Sequence, residues 1–388
     1  MLSEASRVRG VKALTLPYAD TTEKRDVVDT EEELFMWALA RAHGLDFTLG
    51  RVFLTGLTAA DKPRDYYLFE RDKLAPYLKS EPTAAIGVMF SHCSRDADPN
   101  GESSHSVPAT AWAESLQDQC VPYRAVTEET LDTGIPKQIH TLILPNVYAL
   151  SDKHLDVIER FAAGGGTIVA SFLPAVCDEN GEARLKDRSE RLEKLLGIRL
   201  RSADLGAPAP PVTRADFEPR SAKQADVPVE FYDHRFGKGR VVYLPSLAES
   251  AAFQDYANEG KPYTDSRDHG VSKALVNLAL NMTPDQPVRI VRSDESKHIL
   301  TMARSWEGGL LIWMVNAAGA DAASGSAVPS PSRVVWTEPV DITLTFTKRP
   351  RSVKIISPDA EDNQTLSSPG VSITLRSPRR CSVAIIEF

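Results

Sequence analysis

Ala85-Ile86-Gly87-Val88-Met89-Phe90-Ser91 and Thr141-Leu142-Ile143-Leu144-Pro145-Asn146 are two short apolar runs that close on polar residues. Buried parallel strands read this way, because both of their faces are covered. Between the two runs, Trp112 to Cys120 predicts a helix and Val121 to Val126 a short strand. After them Ser151 is placed to cap a helix whose Leu155, Ile158 and Phe161 recur at helical spacing, and Gly164-Gly165-Gly166 ends it. Thr167-Ile168-Val169-Ala170-Ser171 supplies another strand. The stretch from Ala84 to Phe172 therefore predicts a parallel α/β sheet, which places a site at its strand ends and names no reaction.

Upstream, Thr30 is a fair N-cap for an apolar helix carrying Leu34, Phe35, Trp37, Ala38 and Ala40 and ending near Gly44. An apolar piece from Phe47 to Leu54 and a second helix from Asp65 to Leu78 follow. Residues 1–83 make too small a core to stand alone, so the apolar face of the first helix needs a covering surface, either the next domain or another copy of the chain. The α/β domain occupies residues 84–282. Its later parts are a helix from Arg188 to Leu196, a Pro- and Ala-rich surface insertion from Arg201 to Pro228, and a hairpin around Gly237-Lys238-Gly239. A last helix runs from Ser272 to Met282. Residues 283–388 change to strand-length apolar or alternating runs, about seven in roughly 100 residues, which predicts an antiparallel β-sandwich. Ala317 to Pro331 is a small-residue loop within it.

The chain has 388 residues, 25% of them charged, and a formal net charge of −8. No region clusters Lys and Arg with aromatics, which argues against nucleic acid as a partner. No apolar run reaches the ~20 residues that span a bilayer, and Met1 to Lys12 lacks the apolar core of a signal peptide. Taken literally, the chain is cytoplasmic and has no membrane partner. Cys93, Cys120, Cys177 and Cys381 are scattered, so neither a disulfide framework nor a metal cluster is expected, and Cys120 and Cys381 read as small core residues.

The order of a helix-rich segment, an α/β domain and a terminal sandwich resembles the C-terminal half of family 42 β-galactosidases. The carriers are Ala84 to Ser91, Leu142 to Asn146, Phe161 to Val169, Phe236 to Pro245 and the Asn-ended run Trp313-Met314-Val315-Asn316. The resemblance implies a flavodoxin-like doubly wound parallel sheet serving as a trimerisation domain. It also implies a C-terminal antiparallel β-sandwich and, in residues 31 to 70, the helical remnant of a (β/α)8 barrel. The two facing carboxylates that glycoside hydrolysis needs sit on barrel strands with no counterpart here, so no catalytic residue is carried over. The implied role is assembly and shaping of a sugar site, as a homo-oligomer, with a carbohydrate as ligand. A chain that continues upstream into a barrel would hydrolyse β-glycosides; one that starts at Met1 would not.

The α/β domain is also similar to class I glutamine amidotransferases. The nucleophile position reads Ala170-Ser171-Phe172-Leu173-Pro174, without the Cys or the flanking glycines. That leaves a second reading, a small-molecule-binding or regulatory module without amidotransferase activity. Its candidate contacts are Ser91, His92, Asn146, Ser171 and Phe172, at strand ends where α/β sheets bind ligands. Ser91-His92-Cys93 reads as a polar loop in preference to a catalytic pair, since neighbours on an extended chain point apart. The loop from His92 to Ser106 is long enough to cover a crevice. Ser171 reads first as a strand-end serine satisfying backbone groups. Gly164-Gly165-Gly166 follows a helix and so is a stop signal, not a phosphate cradle. Asp233-His234 and Asp268-His269 read as surface and cap residues. Trp37, Trp112 and Trp313 read as core, while Trp306 and Trp336 read equally as a sugar-stacking surface on the sandwich or as edge-strand packing. No cofactor and no metal ligand set is assigned.

Overall fold

The computed structural model describes residues 14–15, 30–47, 66–97, 103–183, 186–200, 217–219, 223–225, 229–253, 267–295, 299–316, 320–322, 331–334, 338–367 and 370–388. Its main helices are α1 (Thr30–Ala42), α2 (His92–Asp96), α3 (Ser103–Asp118), α4 (Glu128–Thr133), α5 (Asp152–Ala163), α6 (Lys186–Leu196) and α7 (His269–Asn281). One seven-stranded sheet is built from β1 (Ile86–Met89), β2 (Tyr123–Val126), β3 (Thr141–Leu144), β4 (Thr167–Ser171), β5 (Lys223–Ala225), β6 (Phe231–Phe236) and β7 (Gly239–Leu244). Their order across the sheet is β5-β6-β7-β4-β3-β1-β2. The five strands from β7 to β2 run parallel, while β6 and β5 extend the edge antiparallel.

Both faces of this sheet are buried, which is why its strands appear in sequence as unbroken apolar runs. On one face Ile168, Val241 and Tyr243 pack with Leu131 of α4, Leu155 and Ile158 of α5 and Leu195 of α6. On the other, Val169, Val242 and Leu244 pack with Trp112 and Leu116 of α3 and Leu275 and Val276 of α7. The side-chain period of two along each strand sorts neighbours to opposite cores. The Ser151 hydroxyl accepts from the His154 amide at 3.2 Å and starts α5, and Gly165 at φ +121° turns the chain out of it. Gly237, at φ +59°, makes the β6–β7 turn.

Two parts differ from the sequence reading. His92 to Ser106 is not one long loop over the sheet, because His92–Asp96 is helical and α3 begins at Ser103, ahead of Trp112. Within 201–228, Phe217–Pro219 pairs with Ile198–Leu200, and β5 joins the sheet edge. The rest of that segment lies outside the described residues, as do the run from 48 to 54, most of 317–331, and Trp336.

The C-terminal strands are β8 (Val288–Arg292), β9 (Ile299–Trp306), β10 (Gly309–Asn316), β11 (Asp341–Phe346), β12 (Ser352–Ile356), β13 (Gln364–Ser367), β14 (Ser372–Arg376) and β15 (Cys381–Glu387). They form an antiparallel sheet β8-β11-β14 and a second one, β13-β12-β15-β10-β9, onto whose last strand Glu81–Pro82 pairs. Ile290, Ile342 and Leu344 of the first meet Ile312, Met314, Ala384 and Ile386 of the second in the sandwich core.

The outer face of the larger sheet is also apolar, with Leu311, Trp313, Val315, Val383 and Ile385, and the N-terminal segment covers it. Trp37 of α1, 0% exposed, stacks on Tyr66 at 5.1 Å and meets Trp313 edge-on at 6.2 Å. The apolar face of α1 is therefore spent within the chain, which corrects the expectation that a second copy could cover it. Arg304 of β9, buried, donates to the Ser80 hydroxyl and carbonyl and to the Ala42 carbonyl, tying both ends of this segment to the sandwich.

Candidate functional site

The carboxyl edge of the parallel strands gathers the sequence-derived candidates with two carboxylates that sequence reading passed over. Ser91 follows β1 and caps α2, its hydroxyl accepting from the Ser94 amide at 3.0 Å. That hydroxyl donates to Glu128 Oε1 at 2.7 Å. Glu128, at the start of α4 and 8% exposed, also accepts from the His92 amide at 3.2 Å and the Cys93 amide at 3.2 Å. The Ser91 amide in turn donates to His105 Nε2 at 2.8 Å. An amide can only donate, so Nε2 is the acceptor nitrogen and Nδ1 carries the proton, given to the Pro145 carbonyl at 2.8 Å. Ser94 closes the network by linking to both backbone groups of Ala149.

A second knot lies at the ends of β3 and β4. Ser171 Oγ accepts from the Asn146 amide at 2.9 Å and donates to Glu249 Oε1, while Asn146 Oδ1 accepts from the Leu173 amide at 3.3 Å. Asn146 and Phe172 both hold positive φ, +41° and +58°. Such backbone is kept only where its surroundings over-determine it. Here Tyr243 donates its hydroxyl to the Phe172 carbonyl at 2.7 Å, and the Phe172 amide donates to Leu244 at 2.8 Å. Glu249, in the short helix Ala248–Ala252, is 0% exposed, and burial pushes its carboxyl up to about 7 against an ordinary 4.5. Its Oε2 meets no hydrogen-bond partner among the described residues.

Ser91, Asn146, Ser171 and Phe172 are thus all buried, and the first three are engaged by the protein's own groups; His92 is half-buried. The Cys93 thiol is pushed up to about 12, by burial first and then by the charge of Glu128, the opposite of an activated nucleophile. His92, Glu128 and Glu129 bring ligand-type atoms within 4.8 Å of one another. A hard cation bound there would compete with the amide and hydroxyl donors that Glu128 already serves. Asp268 caps α7 through the Gly270 and Val271 amides, and Asp233 pairs with Arg240 at 2.6 Å. Trp306 is half-buried and packs edge-on against Tyr77 at 5.0 Å. Glu128 had one readable signal, its place directly after β2 behind Thr127, and His105 had its place in the polar stretch from His92 to Ser106; Glu249 had none.

The structure thus sets a mixed sheet, covered on both faces, beside a β-sandwich, with the polar groups at the sheet's strand ends turned inward. Residues 136–226 match the family described as the beta-galactosidase trimerisation domain. No curated protein matches the chain by sequence. The fold is that seen in a GH42 β-galactosidase from G. stearothermophilus, with 12% identity and TM-score 0.62 over 96% of this chain and 53% of that one. It is also seen in the β-galactosidase from Rahnella sp. R3, at 14% and 0.57 over 95% and 53%. The alpha-L-fucosidase isoenzyme 2 from Paenibacillus thiaminolyticus shares it at 12% and 0.62, over 97% and 60%. The chain spans about half the length of the β-galactosidases it matches. Among the described residues no helix is long and apolar enough to cross a membrane.

Proposed function

We propose that this chain is the assembly and site-shaping part of a glycoside-hydrolase system of the β-galactosidase type, self-associating through its α/β domain as a trimer. The observation that carries the reading is the match of residues 136–226 to a trimerisation domain, on a segment that runs from before β3 through α5 and β4 to the β5 edge. In this reading the boundaries lie at 1–83, 84–282 and 283–388. The parallel order β2-β1-β3-β4-β7 supports a flavodoxin-like sheet. Leu14–Thr15 pairs parallel with Asp46–Phe47 across α1, which supports residues 1–83 as the end of a (β/α)8 barrel. Four free cysteines accord with a cytoplasmic location.

The second reading, a metabolite held by Ser91, His92, Asn146, Ser171 and Phe172, loses ground because Glu128 and Glu249 occupy the hydrogen-bonding capacity such a ligand would use. Light scattering on the eluting protein tests the assembly reading. A species of three times 42.5 kDa is expected, and a monomer at micromolar concentration overturns it. Turnover of aryl β-glycosides by this chain, lost on changing one of its own carboxylates, would equally overturn a non-catalytic role.

A further inference from the structure

Between the end of α3, the outer stripe of α7 and the edge strand β8 lies a cavity of about 440 Å³. That volume is in the range that holds a small metabolite. Both the α/β sheet's helices and the sandwich line it, and none of the strand-end candidates does. Lys273, Asn277 and Leu280 face it at the i, i+4, i+7 spacing of one helix side.

Two observations give this cavity its chemistry. The first is charge: Lys273, Arg289 and Arg292 line it against Asp118 and Glu295, and both carboxylates are committed. Asp118 pairs with Arg267, and Glu295 pairs with Lys273 at 2.6 Å. Arg292 donates to the Asp118 carbonyl. Arg289 alternates along β8 with the core residues Val288 and Ile290, so its exposed guanidinium stands on the outer face, with no carboxylate in ion-pair contact among the described residues. The second is an amide. Gln286 lines the cavity, and neither its Oε1 nor its Nε2, both shut off from solvent, has a hydrogen-bond partner among the described residues. Folded chains seldom leave both ends of a buried amide unserved.

We propose that this cavity binds a small anionic polyol, a sugar-sized molecule whose carboxylate or phosphate pairs with Arg289 and whose hydroxyls serve Gln286 and Asn277. A guanidinium takes either anion through paired N–H donors, while hydroxyls both give and accept and so can satisfy both ends of an amide. A ligand held there touches α7 and β8 together and stabilises their packing. The inference rests on the cavity alone; a monomer that binds and a trimer that does not are separate results.

Calorimetric titration of the full chain with glucuronate, glucose 6-phosphate, glucose and inorganic phosphate tests it. At least one of the two sugar anions is expected to bind at least tenfold more tightly than glucose. Binding should weaken at least tenfold in Arg289→Ala, which alters an exposed side chain, and in Gln286→Leu. Preference for glucose 6-phosphate makes phosphate the anchor, and preference for glucuronate makes it a carboxylate. Equal binding of glucose, unchanged affinity in Arg289→Ala, or no heat from any of the four overturns the proposal. Inorganic phosphate binding as tightly as glucose 6-phosphate, with Gln286→Leu without effect, means an adventitious ion only and overturns it too.

Discussion

Glu249 is a fully buried carboxyl group, and its titration sets a pH dependence whose sign can be worked out. Its folded pKa of about 7 lies above the ordinary 4.5, so between those values the folded state holds more protons than the unfolded one. Stability falls as pH rises from 4.5 to 7 and is level above that. Glu249→Gln removes the charge and keeps an acceptor for Ser171. Its advantage over the native chain should be absent near pH 4.5 and grow to about 3 kcal/mol by pH 8, measured by urea unfolding across pH. Equal pH profiles for the two proteins would refute the buried-charge account. Glu128 is served by three donors, the Ser91 hydroxyl and the amides of His92 and Cys93. Glu128→Ala strands those donors and should cost about 2–3 kcal/mol, with Glu128→Gln costing less. Gly239 is fixed by its neighbours: a Cβ there would run into the carbonyl oxygens of Ala162 and Gly166, backbone atoms that cannot turn aside. Gly239→Ala should destabilise by roughly 1–3 kcal/mol in the same assay.

At the scale of elements, α1 shows how a helix with a clear apolar face can be assigned correctly and still leave its partner open. Trp37, Leu34 and Ala38 at helical spacing define the face, and sequence pattern ends there. The partner is the outside of the β10–β15 sheet, some 270 residues further along, whose strands carry apolar residues on both faces. Trp37→Ala removes the ring that Tyr66, Phe69 and Trp313 enclose and leaves Glu70 without its indole donor. It should cost about 3–5 kcal/mol and make α1 a site of early proteolytic cleavage while the parallel sheet stays protected. The short helices α2 and α4 escaped sequence reading for a related reason. Each is about a turn or so of chain, too brief for periodicity to register, and each is specified by caps: Ser91 for one, and for the other Thr127 reciprocally with Thr130.

Across the whole molecule, the α/β sheet and the sandwich have separate cores, and Cys120, just past the end of α3, packs into that of the sandwich. Cys120, Cys177 and Cys381 are buried, and burial raises the thiols of Cys120 and Cys381. Cys93, half-buried, is held up near 12. A thiol reagent at pH 8 should therefore label the native chain slowly at all four positions and react with four equivalents in denaturant. Rapid native labelling of Cys120 would mean that the junction between α3 and β9, where its sulfur donates to the Ile299 carbonyl, opens independently of global unfolding.

The alternation of apolar runs with amphipathic helices, the stop at Gly164-Gly165-Gly166, and the change to strand-length pieces from Thr283 were decided by sequence alone. Those features depend on residues within a few positions of one another, where spacing and backbone preference act directly. The pairing of distant groups was decided by tertiary structure. Ser91 and Ser171 are legible as strand-end hydroxyls, but their partners Glu128 and Glu249 lie 37 and 78 residues away. Only the crossing of parallel strands brings them there. That same packing buries Glu249 and joins Ser91, Asn146 and Ser171, which sequence presents as separate strand-end groups, to partners within the chain, because groups far apart in sequence meet only where the strands end side by side.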